Sequence, residues 1–227
     1  MTVRRLVIVL FLLCLPLPSA AFPDGTVRLV YRETTGQVSA EREYLVQRTP
    51  KGLELQVTFF AEQPVMRKIL AGPDYDTYQE FYEELTGPGH VEVTRQGDLI
   101  SLSGVANDKT ISLCKYVDGI DWYGSVLLLK NFVLSGDETR LFYVTKPEEE
   151  RLVKLKAIRE GEEAILVNGK AMDTVRVRFT MPDFRSIFWS STYWFRTTDG
   201  LFVKSDETRG GPGSPKVKVE LLSEEIL

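Results

Sequence analysis

The sequence predicts an all-β protein, mainly antiparallel, in which about ten strands form a curved sheet or open half-barrel with one short helix packed on it. Three observations lead to this fold class. Short runs rich in β-branched and aromatic residues recur along the chain, turn residues separate them, and apolar residues alternate with polar ones inside them. Such alternation is typical of a sheet with one face in water. The candidate strands are 26–33, 37–48, 53–61, 91–93, 99–102, 110–117, 163–167, 171–179, 187–197, 201–206 and 216–222.

Turn residues bound the candidate strands of the first half of the chain. Gly36 follows the first strand, and Pro50, which is preset for the first corner of a turn, follows the second. Gly97 separates the fourth strand from the fifth, and Gly119 follows the sixth. These positions fix where the chain can reverse direction, so neighbouring strands are expected to pair antiparallel.

Two stretches break the strand pattern. Residues 74–85 carry tyrosines, a phenylalanine and a leucine at helical spacing, but an aromatic strand fits them equally well, and both alternatives stay open. Residues 121–134 place apolar side chains on one helical face. Asp121 can cap the start of this segment and Gly136 can end it. We therefore expect one helix there, laid across the sheet.

The second half of the chain contains the clearest hairpin. Asn168-Gly169 joins strands 163–167 and 171–179, and both corner residues tolerate positive φ. Gly200 marks a further hairpin between 187–197 and 201–206. A glycine-rich loop, Arg209 to Pro215, leads to the last strand, so we expect a loop there rather than a domain boundary.

The first twenty-one residues have the three-part layout of a secretory signal peptide. Arg4 and Arg5 precede a continuously apolar run at 6–17, and small residues lead to a cut after Ala21. An uncleaved membrane anchor is the alternative, but a spanning helix needs about 20 apolar residues. The sequence therefore predicts an exported protein, periplasmic or alternatively secreted, with no transmembrane segment in the mature chain.

Composition excludes several classes of site. Cleavage after Ala21 would leave residues 22–227, which we expect to form a single β domain with Cys114 as its one cysteine. No internal disulfide could then form, even in an oxidising compartment. The chain has one histidine, whereas the usual zinc ligand sets need two or three, and no cofactor is predicted. The net charge of −4 argues against a nucleic-acid partner.

From Trp122 onward the chain resembles an uncharacterised family of exported bacterial β proteins. The resemblance lies in "DWYGSVLLLKNFVLS", in the segment around the Asn168-Gly169 hairpin, and in "YWFRTTDGLFVK" before the glycine-rich loop. A weaker, fold-level similarity links such proteins to the half-barrels of outer-membrane lipoprotein carriers. The resemblance implies a sheet wrapped around a helix with an apolar concavity. It brings no catalytic residues.

The strongest candidate for a binding site is aromatic. Ile187 to Phe195 reads IFWSSTYWF, with large side chains at both ends and small ones in the middle. One interpretation is a central strand buried on both faces, since large aromatics ordinarily fill cores. The other is a strand whose small middle opens an aromatic-walled pocket for a ligand. In the second case the candidate ligand-binding residues are Tyr123, Trp189, Tyr193, Trp194 and Arg196.

Catalytic candidates are sparse. Asp118 and Asp121 could act as paired acid and base carboxylates, but a turn residue and a helix cap explain them more simply. His90 and Cys114 could form a base–nucleophile pair if the fold brings them together. Cys114 lies mid-strand, however, with no glycine or helix start nearby that would activate a thiol. We therefore predict no catalytic residues and no enzyme.

Three functions remain, in order of preference. The first is non-enzymatic binding of an apolar ligand or lipid in the sheet concavity of an exported cell-envelope protein. The second is a structural or interaction module with a filled core that binds an envelope protein. The third is a hydrolase that uses Asp118 with Asp121, or His90 with Cys114. A cavity map of the folded chain separates them.

Overall fold

A computed structural model describes residues 22–60, 63–208 and 214–227, and the strands in these ranges form one fifteen-stranded sheet. All neighbouring strands pair antiparallel except the last pair, which is parallel. The strands are β1 (Thr26–Thr35), β2 (Val38–Thr49), β3 (Gly52–Phe60), β4 (Val65–Ala71), β5 (Thr77–Glu84), β6 (His90–Gln96), β7 (Leu99–Ala106), β8 (Lys109–Tyr116), β9 (Asp121–Trp122), β10 (Thr139–Lys146), β11 (Arg151–Val167), β12 (Lys170–Thr180), β13 (Ser190–Arg196), β14 (Phe202–Thr208) and β15 (Lys216–Ile226).

The sheet order places the first and last strands at its centre. It runs β8-β7-β6-β5-β4-β3-β2-β1-β15-β14-β13-β12-β11-β10-β9. The first and last strands pair along their whole length, from Val27 opposite Ile226 to Thr35 opposite Val217. The predicted signal segment and its cut after Ala21 lie outside the described residues, as does most of the predicted Arg209–Pro215 loop.

The fold class is confirmed, but the strand number is fifteen rather than about ten. β4 and β10 were not predicted, and β11 is far longer than the predicted 163–167. Two adjacent cations break the apolar alternation of β4, and β10 contains an unbroken apolar run, Leu141 to Val144, with no alternation to detect. β5 settles the open question at 74–85 in favour of a strand.

The predicted helix at 121–134 is shorter than expected. Asp121 and Trp122 belong to β9, whose backbone pairs with β10, so they are not available to start a helix. A 3₁₀ turn at Val126–Leu129 leads into one short helix, α1 (Lys130–Ser135). Ser125, rather than Asp121, caps the turn by accepting a hydrogen bond from the Leu127 amide at 3.3 Å. Gly136 ends the helix as predicted, with φ at +78°.

Two apolar cores occupy the two sides of the wall around β10. Side chains from β1–β4, β10–β15 and α1 form the larger core on the concave face. The smaller core lies between β5–β8 and the outer side of β9–β11, where Trp122, Tyr143 and Leu152 meet Val93 and Ile100. The arm β5–β8 therefore folds back over β9–β11, and the sheet is rolled rather than flat.

A seam of side-chain hydrogen bonds joins this arm to the β9–β10 wall. Asp76 accepts from the Trp122 amide at 2.7 Å, and Thr77 accepts from the Gly124 amide at 2.9 Å. The Thr145 hydroxyl donates to the buried carboxylate of Glu80. β5 and β10 make no backbone pairing in the sheet order, so these contacts close the roll without a strand ladder.

Candidate ligand cavity

The concave face of the roll encloses a cavity of about 590 Å³ that is open on one side. The 3₁₀ turn Val126–Leu129 and the three residues before it form its floor, and β2–β4 and β10–β14 form its walls. Most of the lining is apolar. The apolar and aromatic lining residues are Tyr44, Val57, Phe59, Tyr123, Val126, Leu129, Phe142, Val144, Val153, Leu155, Phe179, Met181, Trp189 and Tyr193.

A continuous row of aromatic rings runs along one wall. The Phe142 ring meets Phe179 edge-on at 5.3 Å between centroids, and Phe179 stacks on Tyr193 at 4.0 Å. Tyr123 extends the row at the floor, 5.6 Å from Phe142. Rings held against one another in this way keep a fixed shape, so the wall offers a ready-made apolar surface to a ligand.

The floor carries one buried hydroxyl. Tyr123 donates to Asp121 at 2.9 Å and accepts from the Arg140 guanidinium at 3.2 Å. Burial raises the pKa of Tyr123, so the phenol stays neutral at physiological pH. Its hydrogen bonds are satisfied within the protein, and the ring face is what it presents to the cavity.

Cations at the cavity edge are each matched by an acid. Arg42 is buried, forms an ion pair with Glu33, and lies over the Phe59 ring at 4.5 Å. Arg67 donates to the fully buried Glu80 at 2.7 Å. A guanidinium is tolerated beside an apolar space only when it is paired in this manner. These arginines therefore build the wall rather than mark an anion site.

The remaining two cations lie at the rim. Lys146 and Arg151 share Glu149, at 2.7 and 3.1 Å. Both are largely exposed, and Lys146 directly precedes a 3₁₀ turn, Pro147–Glu149, that joins β10 to β11. The open end of the cavity is thus bordered by charge that water can reach, while its interior is apolar.

Three of the five predicted ligand-binding residues line the cavity. They are Tyr123, Trp189 and Tyr193. The other two, Trp194 and Arg196, face the outer side of β13, because successive residues of a strand point to opposite faces. Trp194 donates to Glu163 at 2.8 Å, and Arg196 pairs with Asp199 and Glu224. We therefore remove Trp194 and Arg196 from the candidate site.

The aromatic segment serves the pocket and the core at once. β13 begins at Ser190, and a 3₁₀ turn at Phe184–Ile187 replaces the start of the predicted strand. Trp189 and Tyr193 reach the cavity, and the small Ser191 between them lines it too. Phe195, two residues further on the same face, is fully buried in the core.

Sequence analysis missed much of the lining. Phe142 and Val144 lie on β10, which was not predicted. Phe179 lies on a predicted strand, but the sequence does not show which rings pack against it. Arg42 and Arg67 read as solvent-facing residues in a sequence, since their acid partners come from other strands. The alternation within 171–179 would have placed Phe179 on the core face, and this was the one usable signal.

The catalytic candidates considered in the sequence analysis lie outside the cavity. His90 is opposite Val105, whereas Cys114 is opposite Ser101, four residues further along the intervening strand β7. That offset separates them by more than about 10 Å, far beyond hydrogen-bond reach. Asp118 occupies an exposed turn with φ at +50°, and Asp121 is engaged by Tyr123. Neither aspartate lines the cavity.

Within the described ranges, no group of three or more histidine, cysteine, aspartate and glutamate side chains is placed to hold a metal ion. The described part of the chain also contains no helix of the length and apolar character needed to cross a bilayer.

Comparison with known proteins gives structural matches only. No protein-family model matches the chain, and no curated protein matches its sequence. A β-barrel-like protein of the domain of unknown function DUF1849 from Brucella abortus has a similar fold, with a TM-score of 0.61 at 10% identity. The match covers 89% of this chain and 98% of that chain.

Two further solved structures are more distant. The hypothetical lipoprotein YmcC from Escherichia coli has a TM-score of 0.40 at 14% identity, over 88% of both chains. A LolA superfamily protein from Nitrosomonas europaea has a TM-score of 0.26 at 10% identity, over 93% of this chain and 90% of that chain. Likenesses this low carry no weight for function. The predicted resemblance to uncharacterised bacterial β proteins is confirmed at the level of the fold, and the chain shares its architecture with the DUF1849 protein.

Proposed function

We propose that this protein is a non-enzymatic, exported cell-envelope protein that binds an apolar ligand or lipid in the cavity of its rolled sheet. The observation that carries the proposal is the open, apolar-walled cavity of about 590 Å³. Small-molecule sites are typically concave, mostly apolar and roughly 300–1,000 Å³ in volume. The cavity has that size and character, and the filled core of the alternative structural module would leave no such space.

The chemistry of the lining supports binding rather than catalysis. The tyrosine hydroxyl at the floor and the arginines of the wall are engaged by partners within the protein. The paired carboxylates and the histidine–cysteine pair lie elsewhere. A ligand in this cavity would meet mainly ring faces and aliphatic side chains, with Thr145, Ser191 and Glu207 among the polar minority of the lining. That balance favours an acyl chain or another extended apolar group. The signal-peptide layout of residues 1–21 supports an envelope location, the periplasm first.

The test is to fill the cavity and measure ligand uptake. Val144 and Val153 are cross-strand neighbours on β10 and β11, and both line the cavity. Val144→Phe with Val153→Phe should lower the affinity for a fluorescent fatty-acid probe by about tenfold or more, because the rings would occupy the ligand's space. Native mass spectrometry of the unmodified protein, purified without detergent, should show a bound apolar adduct or saturable uptake of the same probe.

A matched control uses another cross-strand pair. Ile165 and Met172 pair on β11 and β12, are half-buried, and do not line the cavity. Ile165→Phe with Met172→Phe should leave probe affinity unchanged. Thermal unfolding of both variants shows that each is folded. The proposal fails if the unmodified protein neither carries an adduct nor takes up the probe.

A further inference from the structure

An exposed apolar turn stands at the edge of the cavity. Residues 182–188, which we call the mouth turn, connect β12 to β13 and contain the 3₁₀ turn Phe184–Ile187. Phe184, Ile187 and Phe188 are 74%, 81% and 64% exposed. Large apolar side chains this exposed and this close in sequence form a patch that water disfavours, and such patches mark interaction sites.

The mouth turn belongs to the cavity entrance. The residue before it, Met181, and the residue after it, Trp189, both line the cavity. The Thr180 hydroxyl donates to the Trp189 carbonyl at 2.9 Å, which closes the base of the turn. The Trp189 indole donates to the Thr208 carbonyl at 2.7 Å and fixes the turn to β14. An object held by the mouth turn would therefore lie directly at the opening.

The turn is held in one shape. Asp183 accepts from the Arg185 amide at 3.0 Å and binds its guanidinium, and the Ser186 and Phe188 amides bond back to preceding carbonyls. The Asp183–Arg185 pair leaves the turn without net charge. Local hydrogen bonds thus hold the turn in shape while its apolar side chains point outward. These side chains are not buried in a core.

Further apolar side chains lie on the same rim. Phe60 ends β3 beside the lining residue Phe59, and Val38 begins β2. The strand registers put both at the end of the sheet where Thr208 ends β14, and both are exposed. The opening is therefore flanked by apolar tips on strands of both walls, and Lys146 and Arg151 lie beyond the mouth turn, on β10 and β11.

We propose that the mouth turn inserts into the surface of a lipid bilayer and sets the cavity opening against it. The three apolar side chains of the turn expose roughly 400 Å² in total. A stable protein partner would need about 800 Å² per side, whereas a fluid interface accepts scattered convex tips. The choice of a bilayer also rests on the proposed function, since a lipid ligand must leave and enter a membrane.

The test measures vesicle binding apart from ligand uptake. The protein is floated with vesicles of phosphatidylethanolamine and phosphatidylglycerol, and compared with the triple variant Phe184→Ser, Ile187→Ser and Phe188→Ser. The unmodified protein should float with the vesicles. The mouth-turn variant should lose about tenfold or more in vesicle partitioning, because its buried apolar area is gone. Its uptake of the fatty-acid probe from solution should be unchanged.

A matched control removes apolar surface at the opposite end of the sheet. Leu166, Ile226 and Leu227 are comparably exposed there. Leu166→Ser with Ile226→Ser and Leu227→Ser should leave flotation intact. An equal loss of vesicle partitioning in both variants would show nonspecific hydrophobic adsorption and overturn the inference. An unmodified protein that does not float would overturn it too. The unmodified protein could instead be a dimer that does not float, and only the mouth-turn substitutions could make it monomeric. That result would assign the patch to a second copy of this chain and would also overturn the inference.

The two proposals fail separately. A protein that floats but takes up no probe contradicts the proposed function and leaves the membrane contact standing. A protein that takes up the probe but does not float contradicts the membrane contact alone. The cavity-filled variant Val144→Phe with Val153→Phe should still float, since its mouth turn is intact.

Discussion

Glu80 is a carboxylate with no exposure to solvent, held beside the cavity wall by two partners. Arg67 donates to it at 2.7 Å, and the Thr145 hydroxyl donates from across the seam. A buried charge is costly unless it is paired and hydrogen-bonded, and loss of one partner leaves the other charge uncompensated. Glu80 therefore couples the cavity wall, through Arg67, to the closure of the roll.

Glu80→Gln should lower the free energy of unfolding by about 2–3 kcal/mol, because the Arg67 charge would lose its counter-ion inside the protein. Chemical denaturation measures the change. Glu54 pairs with Lys68 on the neighbouring strands, but both are partly exposed, so Glu54→Gln should cost less than about 0.5 kcal/mol. Equal losses in the two variants would contradict the role of Glu80.

At the scale of residues, sequence analysis found the aromatic part of the site and missed its charged part. Tyr123, Trp189 and Tyr193 could be predicted because large aromatics are informative on their own. Trp194 and Arg196 do not line the cavity, since the alternation of β13 places them on the face opposite Tyr193. Arg42 and Arg67 could not be predicted. Each guanidinium faces the cavity because an acidic residue from another strand pairs with it, and the sequence does not show which strands are neighbours.

At the scale of elements, a glycine in β7 allows the backbone of β6 to approach closely. Gly104 has φ at +147°, and an added Cβ would lie 2.1 Å from the His90 carbonyl oxygen. Both the backbone angle and the space therefore require glycine. The predicted strand 99–102 stops short of this position, because glycine carries no strand signal of its own.

Gly104→Ala should destabilise the protein by about 3 kcal/mol, since the backbone of β6 and β7 must move apart. Gly97, in the turn between the same two strands, has φ at +59° and nothing within 4 Å of an added Cβ. Gly97→Ala should cost only about 1–2 kcal/mol, from its left-handed backbone alone. Thermal unfolding of the pair checks this, and a Gly104→Ala loss no larger than that of Gly97→Ala would contradict it.

Elements with regular alternation were predictable, and elements that mix charge into both faces were not. The Asn168-Gly169 hairpin and the strands beside it follow the simple rule. β4 carries Arg67 and Lys68 side by side, and β9 consists of two residues whose pairing depends on β10. The helix was placed in the correct region but extended over Asp121 and Trp122, because local spacing does not reveal that a distant strand binds their backbone.

At the scale of the molecule, the order of strands in the sheet is a rotation of their order in the chain. Reading the sheet from β9 to β15 and then from β1 to β8 follows the chain except at one junction, the pairing of β15 with β1. That junction joins residues almost the whole chain apart. The chain must lose the entropy of closing this long loop before β1 and β15 can form their stabilising contacts. Folding should therefore be slow. The order of strands in the sheet could not be predicted from the sequence. The alternation of apolar and polar residues shows which face of a strand is buried, but not which strands pair.

A circular permutant isolates this effect. Residues 22–227 joined end to end by a short glycine–serine linker, and opened between Asp118 and Gly119, would place every strand next to its sheet neighbour. The Leu227 amide already bonds to the Thr26 carbonyl at 2.8 Å, so a short linker can join the two ends of this segment. The permutant should refold about tenfold faster or more by stopped-flow fluorescence, with similar equilibrium stability. Equal refolding rates would show that the central pairing does not limit folding.

The seam between β5 and the β9–β10 wall closes the roll without a ladder of backbone hydrogen bonds. In a closed barrel the diameter is set by strand number and stagger, because a ladder joins every neighbouring pair of strands. Here the circumference is completed by side-chain bonds from Asp76, Thr77 and Thr145, and by the smaller apolar core packed between β5–β8 and β9–β11. The spacing across this one junction therefore depends on how closely side chains pack rather than on strand stagger. Substitutions that change side-chain volume in that core should change the width of the cavity while every strand keeps its neighbours.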